Sequence, residues 1–472
     1  MRTVTRLLLC LTCLTAGVFA DDLDTPVGER PTKATTSDGK YISWREHIID
    51  DPIIGDPAVN GGDGLVIVDL DRDGHLDVVS NHESDTRYDG VPDGHIRVAY
   101  GSDNPDRWVL GTLVEGRDAG APEDVAVADI NGDGHPDVMG ACELAHLVYL
   151  QNPGDGSRKT PWKRLVLPLT RNRGSWLRVF LADFDGDGRP EAVAPNKGAQ
   201  SPRADDMTPR AISIFQVKGD PLSGDSWTEH ELGRYLIPQN SHPVDLDGDG
   251  DIDVVGGSRG EQRIMWFENA GESDFAFKER KIALSAGRAG GFNLSFNDIN
   301  LDNRIDIVGT VGQYLCWLEQ PAEHTGIWTV HRIGTVQPDA MVGFTLADID
   351  GDGDLDAIGG SYSRGPRDED GDVTREHPLG RLAWFEQPDD AKQLWVRHDI
   401  SRRKRGMFDQ FVAQDMDGDN DMDFISTRGN SGRYDGVFWL EQVRTVQPRP
   451  AFQRARASDS QEMPLPVKDE EQ

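Results

Sequence analysis

Apolar residues along this chain fall in short β-type runs that return in one fixed order. A run such as "EDVAVA" (123–128) or "VGFTLA" (342–347) comes first, and "DVV", "DIVG" or "DAIGG" follows a polar stretch. An aromatic run is third, as in "IMWFEN", "LCWLEQ", "LAWFEQ" and "VFWLEQ". The fourth opens on an aromatic residue and often holds a histidine: "WREHII", "WTEHEL", "WTVHRI", "WVRHDI". Four short strands per unit make the blade of a β-propeller. The pattern predicts an all-β fold, a seven-bladed β-propeller of four-stranded antiparallel blades over residues 41–442. The first "WREHII" (44–49) precedes the first complete unit, and the last "VFWLEQ" (437–442) has no fourth run after it. The N-terminal strand is therefore expected to complete the last blade as its outermost member and close the ring.

Between the first and second runs of every unit stands a nine-residue acidic stretch, as in "DIDGDGDLD" from Asp348. Seven copies occur, with successive starts 50–67 residues apart. Oxygen-bearing side chains hold positions 1, 3, 5 and 9. They are Asp69, Asp71, Asp73 and Asp77; Asp129, Asn131, Asp133 and Asp137; Asp183, Asp185, Asp187 and Glu191; Asp245, Asp247, Asp249 and Asp253; Asp298, Asn300, Asp302 and Asp306; Asp348, Asp350, Asp352 and Asp356; Asp415, Asp417, Asp419 and Asp423. Alternate positions on a tight turn point their oxygens inward, and Ca2+ takes six to eight oxygens at roughly 2.3–2.6 Å. Position 6 needs a left-handed turn; it is Gly in five copies and Asn303 or Asn420 in the others. Up to seven structural Ca2+ sites are expected. A helix–loop–helix calcium site would need a bidentate Glu at position 12. Here position 12 is Ser80, Gly140, Ala194, Gly256, Gly309, Gly359 and Ser426, so that reading is excluded.

Positions 1, 3, 5 and 9 of the loops hold 26 of the chain's 82 acidic residues and account for much of its formal charge of −33. Such acidity argues against nucleic acid as a partner. At the N-terminus, Arg2 and Arg6 precede an apolar stretch from Leu7 to Phe19, with Val18 and Ala20 placed for cleavage after Ala20. Residues 1–20 read as a signal peptide, too short to span a bilayer, which predicts a secreted or periplasmic protein with no membrane span. Residues 21–40 are expected to be a flexible leader and 443–472 a disordered polar tail. Cys142 and Cys316 are expected to be buried small apolar residues rather than a disulfide.

The acidic loops and their flanking strands resemble the FG-GAP/VCBS repeat family over about residues 41–442. The resemblance implies calcium loops between the first and second strands of propeller blades, as in the integrin α head. The literal letters of the family name are missing: Gly343-Phe344 is reversed, and "GAP" at 120–122 falls between blades. The layout is also similar to the propeller part of aldos-2-ulose dehydratases, although nothing after Val443 resembles the cupin-type domain of those enzymes.

Function is expected on the face opposite the acidic loops, where three long loops lie at 80–95, 195–210 and 361–380. Arg117, Arg171, Arg173, Arg234, Arg288 and the run "SRRKRG" (401–406) gather there and suggest an anionic ligand; pairing with neighbouring acids is the alternative. Five residues before each loop, at the channel mouth, stand Gly64, Asp124, Arg178, Asn240, Asn293, Gly343 and Gln410. Asp124, Arg178, Asn240, Asn293 and the nearby His242 are the candidate ligand-binding residues. His47, His230, His331 and His398 recur in the fourth run and are expected to be structural. His82, His146 and Tyr88 are the candidates for proton abstraction from a sugar. Two readings compete: a monomeric binding or scaffold module for an extracellular glycan or protein, and a carbohydrate lyase or dehydratase.

Overall fold

The computed structural model describes residues 24–84, 90–203, 205–271, 275–363, 373–429 and 431–467. The proposed signal peptide lies outside them. Seven sheets follow one another along the chain, each pairing its main strands antiparallel in sequence order. Their innermost strands are Gly62–Val68, Pro122–Ala128, Phe180–Ala182, Pro238–Val244, Leu294–Asn297, Ala340–Ala347 and Phe411–Gln414. The chain is thus the all-β, seven-bladed propeller that the apolar runs predict. Blades are numbered below in that order.

The core lies between blades, and this explains the small residues at loop position 12. A Cβ on Gly140 would stand 2.5 Å from Ile96 of the preceding blade, and one on Gly256 2.9 Å from Ile212. The aromatic third strands fill the same layer: Trp266, Trp317, Trp384 and Trp439 are fully buried. Three fourth-strand histidines stack on these tryptophans, while His230 stacks on Phe275 at 4.3 Å. His47 stacks on Trp439 at 4.1 Å and meets Glu441 at 2.7 Å; His331 does the same with Trp317 and Glu319, and His398 with Trp384 and Glu386. Their role is structural, as expected. Cys142 and Cys316 are free and buried.

Closure follows the expected route with one addition. Strand Tyr41–Asp50 pairs antiparallel with Gly436–Thr445, from Tyr41 opposite Thr445 to Asp50 opposite Val437. It is the fourth strand of blade 7 but not its edge, because Phe452–Gln453 pairs parallel outside it.

The expected disordered tail is a correction. Residues 443–467 are ordered, with Phe452 and Met463 buried. The buried Glu462 accepts from the backbone N–H of Arg402 and Gly28 and from the Ser401 hydroxyl. Arg403, fully buried, donates to Glu46 at 2.8 Å and Asp459 at 3.0 Å, and Arg428 donates to the same Asp459 at 2.8 Å. The leader joins this clasp: Val27 donates to the Met463 carbonyl, and Ala34 packs in the core between blades 6 and 7. Composition misled here because the segment is held by ion pairs as well as by a few buried apolar residues. Of the basic run 401–406, Arg403 is taken up by these contacts and Arg402 by Asp339, the pairing alternative of the sequence reading.

Breaking a buried pair costs ~3–5 kcal/mol, since it strands a charge. Arg403→Met, and separately removal of residues 446–472, should each lower the urea unfolding midpoint. A tail deletion with an unchanged midpoint would show that the clasp contributes nothing.

Candidate functional site

Two places gather chemistry: the seven acidic loops at one end of the inner strands, and the central channel at the other. In the first loop the Asp69 carboxylate accepts from the backbone N–H of Asp73 and Gly74, both at 3.1 Å. Asp73 accepts from His75 N–H at 2.9 Å. The turn is left-handed at position 6 in all seven loops, from Asn303 at φ 65° and Asn420 at 67° to Gly250 at 99°. The position 9 carboxylate is buried and bonded to backbone: Asp77 accepts from Leu70 N–H at 2.8 Å and from Gly101 N–H, beyond the third strand, at 2.9 Å. Burial pushes these groups up despite the hydrogen bonds: Asp77 to about 6, Asp253 and Asp306 to about 7, Asp356 and Asp423 to about 8.

In the blade 1, 3 and 6 loops, positions 1, 3 and 9 each offer an oxygen within 4.8 Å of the others; positions 1, 3 and 5 do so in blade 4. Asp247 Oδ1 in that fourth loop is buried with no hydrogen-bond partner among the described residues. An all-oxygen cluster with an orphaned carboxylate atom fits a hard divalent cation. The first loop differs in that Arg158 of blade 2 pairs with Asp71 and Asp73.

Inside the channel the sequence-predicted residues do come together, but as a plug. Arg178 Nη2 donates to Asn293 Oδ1 at 2.7 Å and to Asp409 Oδ2 at 3.0 Å, and Nη1 stands 3.8 Å from Asp124. Asn293 donates in turn to the Val342 and Asp409 carbonyls, and Asn240 to the Phe292 carbonyl. Burial holds Asp124 up at about 6 even beside Arg178. Blades 2 to 7 are thereby cross-linked around the axis. Arg178, expected to clamp an anionic ligand, already has two carboxylates. Arg173 and Arg234 are likewise paired, with Glu229 and Glu231.

The plug divides the channel. Towards the acidic loops lies a cavity of about 550 Å³ walled by inner-strand residues, among them His242 between Phe180 and Phe296 at 4.7 and 4.8 Å. Burial, with Arg178 nearby, holds His242 down at about 4. On the opposite face lies a second cavity of about 350 Å³. One wall carries Asp63, Glu123, Lys197 and Arg259; the other carries Phe292, Met341, Val342, Tyr362 and Met407. Glu83 and Glu143 stand behind the charged wall, each with an oxygen within 4.8 Å of Glu123, and Lys197 pairs with Glu143.

The candidate proton-abstracting residues do not line this cavity. His82 is fully buried, with Nε2 3.0 Å from Ser80 Oγ, and burial depresses it to about 3. His146 donates from Nε2 to the Asp118 carbonyl at 3.0 Å, and burial lowers it too. Tyr88 lies outside the described residues.

The charged wall itself was missed by sequence reasoning, yet it occupies two repeat columns. Six residues before each loop stand Asp63, Glu123, Leu177, Gln239, Phe292, Val342 and Asp409. Six residues after position 9 stand Glu83, Glu143, Lys197, Arg259, Gly312, Tyr362 and Gly429. Strand alternation hides the first column because the inner strands are bulged there. Pairing skips Glu123 between Pro122 and Asp124, Gln239 between Pro238 and Asn240, and Val342 between Met341 and Gly343. A bulge turns an extra side chain out of register.

Among the described residues no helix is long and apolar enough to cross a membrane. A search of the curated proteins gives no match. Among solved structures the chain is similar to an Agrocybe aegerita lectin, described by its specific recognition of non-reducing terminal N-acetylglucosamine. The two are 15% identical over 73% of this chain and 81% of the lectin chain, with a TM-score of 0.43. Residues 69–140, 129–194 and 245–309 match the family model of the FG-GAP-like repeat. Each match begins on the first Asp of one acidic loop and ends on position 12 of the next. The chain is therefore a seven-bladed β-propeller that carries FG-GAP-like repeats over residues 69–194 and 245–309.

Proposed function

We propose that this chain is an exported binding module, held rigid by Ca2+ in its acidic loops, that takes the end of an extracellular glycan into the cavity opposite those loops. The observation that carries the reading is the two-sided lining of that 350 Å³ cavity. A protein partner would need a broad face of roughly 800 Å² on each side, whereas a concave pocket of a few hundred Å³ suits a small polar ligand. Sugars present an apolar C–H face and a hydroxyl edge. Met341, Val342 and Phe292 suit the first; Asp63, Glu123 and Gln239 suit the second. The lyase or dehydratase reading rested on His82 and His146, and neither lines this space.

Calcium would be held by positions 1, 3, 5 and 9 of each loop and would supply the positive charge that the crowded carboxylates lack. It has no part in ligand chemistry, because the loops lie at the far end of the inner strands.

Chelation by excess EDTA should lower the melting temperature and Ca2+ restore it, by an amount set by the free calcium concentration over its dissociation constant. A melt indifferent to chelator would overturn the calcium reading. Thr310→Trp, at the cavity wall, should abolish retention on a glycan array while leaving the melt unchanged. Retention equal to that of the unaltered protein would move the ligand site elsewhere.

A further inference from the structure

The charge of the second cavity goes further than its shape. Arg178 is neutralised from below by Asp409 and Asp124 and offers nothing to a ligand. Above it, the carboxylates of Asp63, Glu83, Glu123 and Glu143 face two cations, Lys197 and Arg259. All four carboxylates interact with Lys197 or lie against its partners: Glu143 pairs with it directly, and Glu123, Glu83 and Asp63 act on it through space. Counted as ionised, these four carboxylates exceed the two cations by two formal charges. Glu143 and Glu83 are buried behind the wall, so bulk water screens little of that excess. A concave site lined by one sign with low-dielectric walls concentrates the opposite charge.

The apolar wall narrows the choice of cation. A bare metal ion gains nothing from Phe292, Met341, Val342 and Met407, and Lys197 already stands among the glutamates where an ion would sit. An ammonium group carried on a body of sugar size uses both walls: the nitrogen meets Glu123 and Asp63, and the body lies against Phe292 and Met341. Resting on the glycan-end reading above, we infer that the ligand of this cavity is cationic, an amino sugar bearing a free ammonium group. This reverses the sign suggested by the arginines of the sequence.

Glucosamine, glucose and glucuronic acid share one ring and differ in charge, so titration calorimetry with all three isolates the charge preference. Glucosamine should bind about tenfold or more tightly than glucose, the factor of a single 1.4 kcal/mol interaction, and glucuronic acid most weakly. Glu123→Gln should narrow the gap between glucosamine and glucose, while Arg259→Gln should widen it. A purely structural role for these residues would move both variants the same way. Glucuronic acid binding as tightly as glucosamine, or no glucosamine binding at millimolar concentration, overturns the inference. Thr310→Trp separates the two claims. If it abolishes sugar binding that shows no charge preference, the cavity stands and the ammonium falls; if binding survives it, the cavity reading itself falls.

Discussion

The ring depends on a carboxylate buried where each acidic loop meets its own sheet. Taking such a group out of water costs several kcal/mol unless donors replace the water. Asp77, Asp253, Asp306, Asp356 and Asp423 each accept one N–H from the second loop residue and another from the third strand or the residue after it. The loop is thus fixed to the middle of the blade as well as to the two strands it joins. The residue that gives the second N–H is often an amide, and its side chain reaches the blade before. Asn152 donates to the Leu70 carbonyl, Asn269 to Phe184, Gln320 to Leu246 and Gln442 to Ile349. One short motif therefore orders the turn, the blade and the contact between blades.

A ring of such units has one weak joint, where the ends of the chain meet. Sheet pairing between Tyr41–Asp50 and Gly436–Thr445 supplies backbone hydrogen bonds, and the clasp of residues 446–467 covers what would be a raw edge. The clasp is polar because the surface it covers is polar. Arg402, Arg403 and Arg428 come from blades 6 and 7, and Asp459 and Glu462 come from the tail. Charge-assisted bonds of this kind have strict geometry, so they fix where the tail lies as well as holding it.

The repeat made most of the fold legible. Strand number, blade count, closure by "WREHII" and the left-handed position 6 all follow from runs that recur. What does not recur was harder to read. The tail has no copy elsewhere in the chain, and polar composition alone cannot distinguish solvated charge from charge that pairs with a buried arginine. The channel residues were found, but their pairing with one another was not. Asp124, Arg178, Asn240 and Asn293 are polar at an axial position, yet they face one another across the axis, and side chains that satisfy one another form a plug rather than a mouth. Only the third dimension reveals that pairing.

Repetition also explains why the cavity is asymmetric. A sevenfold ring of identical blades would line its axis with seven copies of one residue, giving a pore with no preferred orientation for a ligand. The columns six residues before the loop and six after position 9 lie at strand ends, clear of the layer where Gly140 and Gly256 meet the neighbouring blade. Side chains there can change without disturbing contacts between blades. In blades 1 to 4 the second column reads Glu83, Glu143, Lys197 and Arg259; in blades 5 to 7 it reads Gly312, Tyr362 and Gly429. The second column thereby carries charge in blades 1 to 4 and none in blades 5 to 7. The loops and strands keep the ring regular, and that regularity leaves the axial end of the strands free to vary.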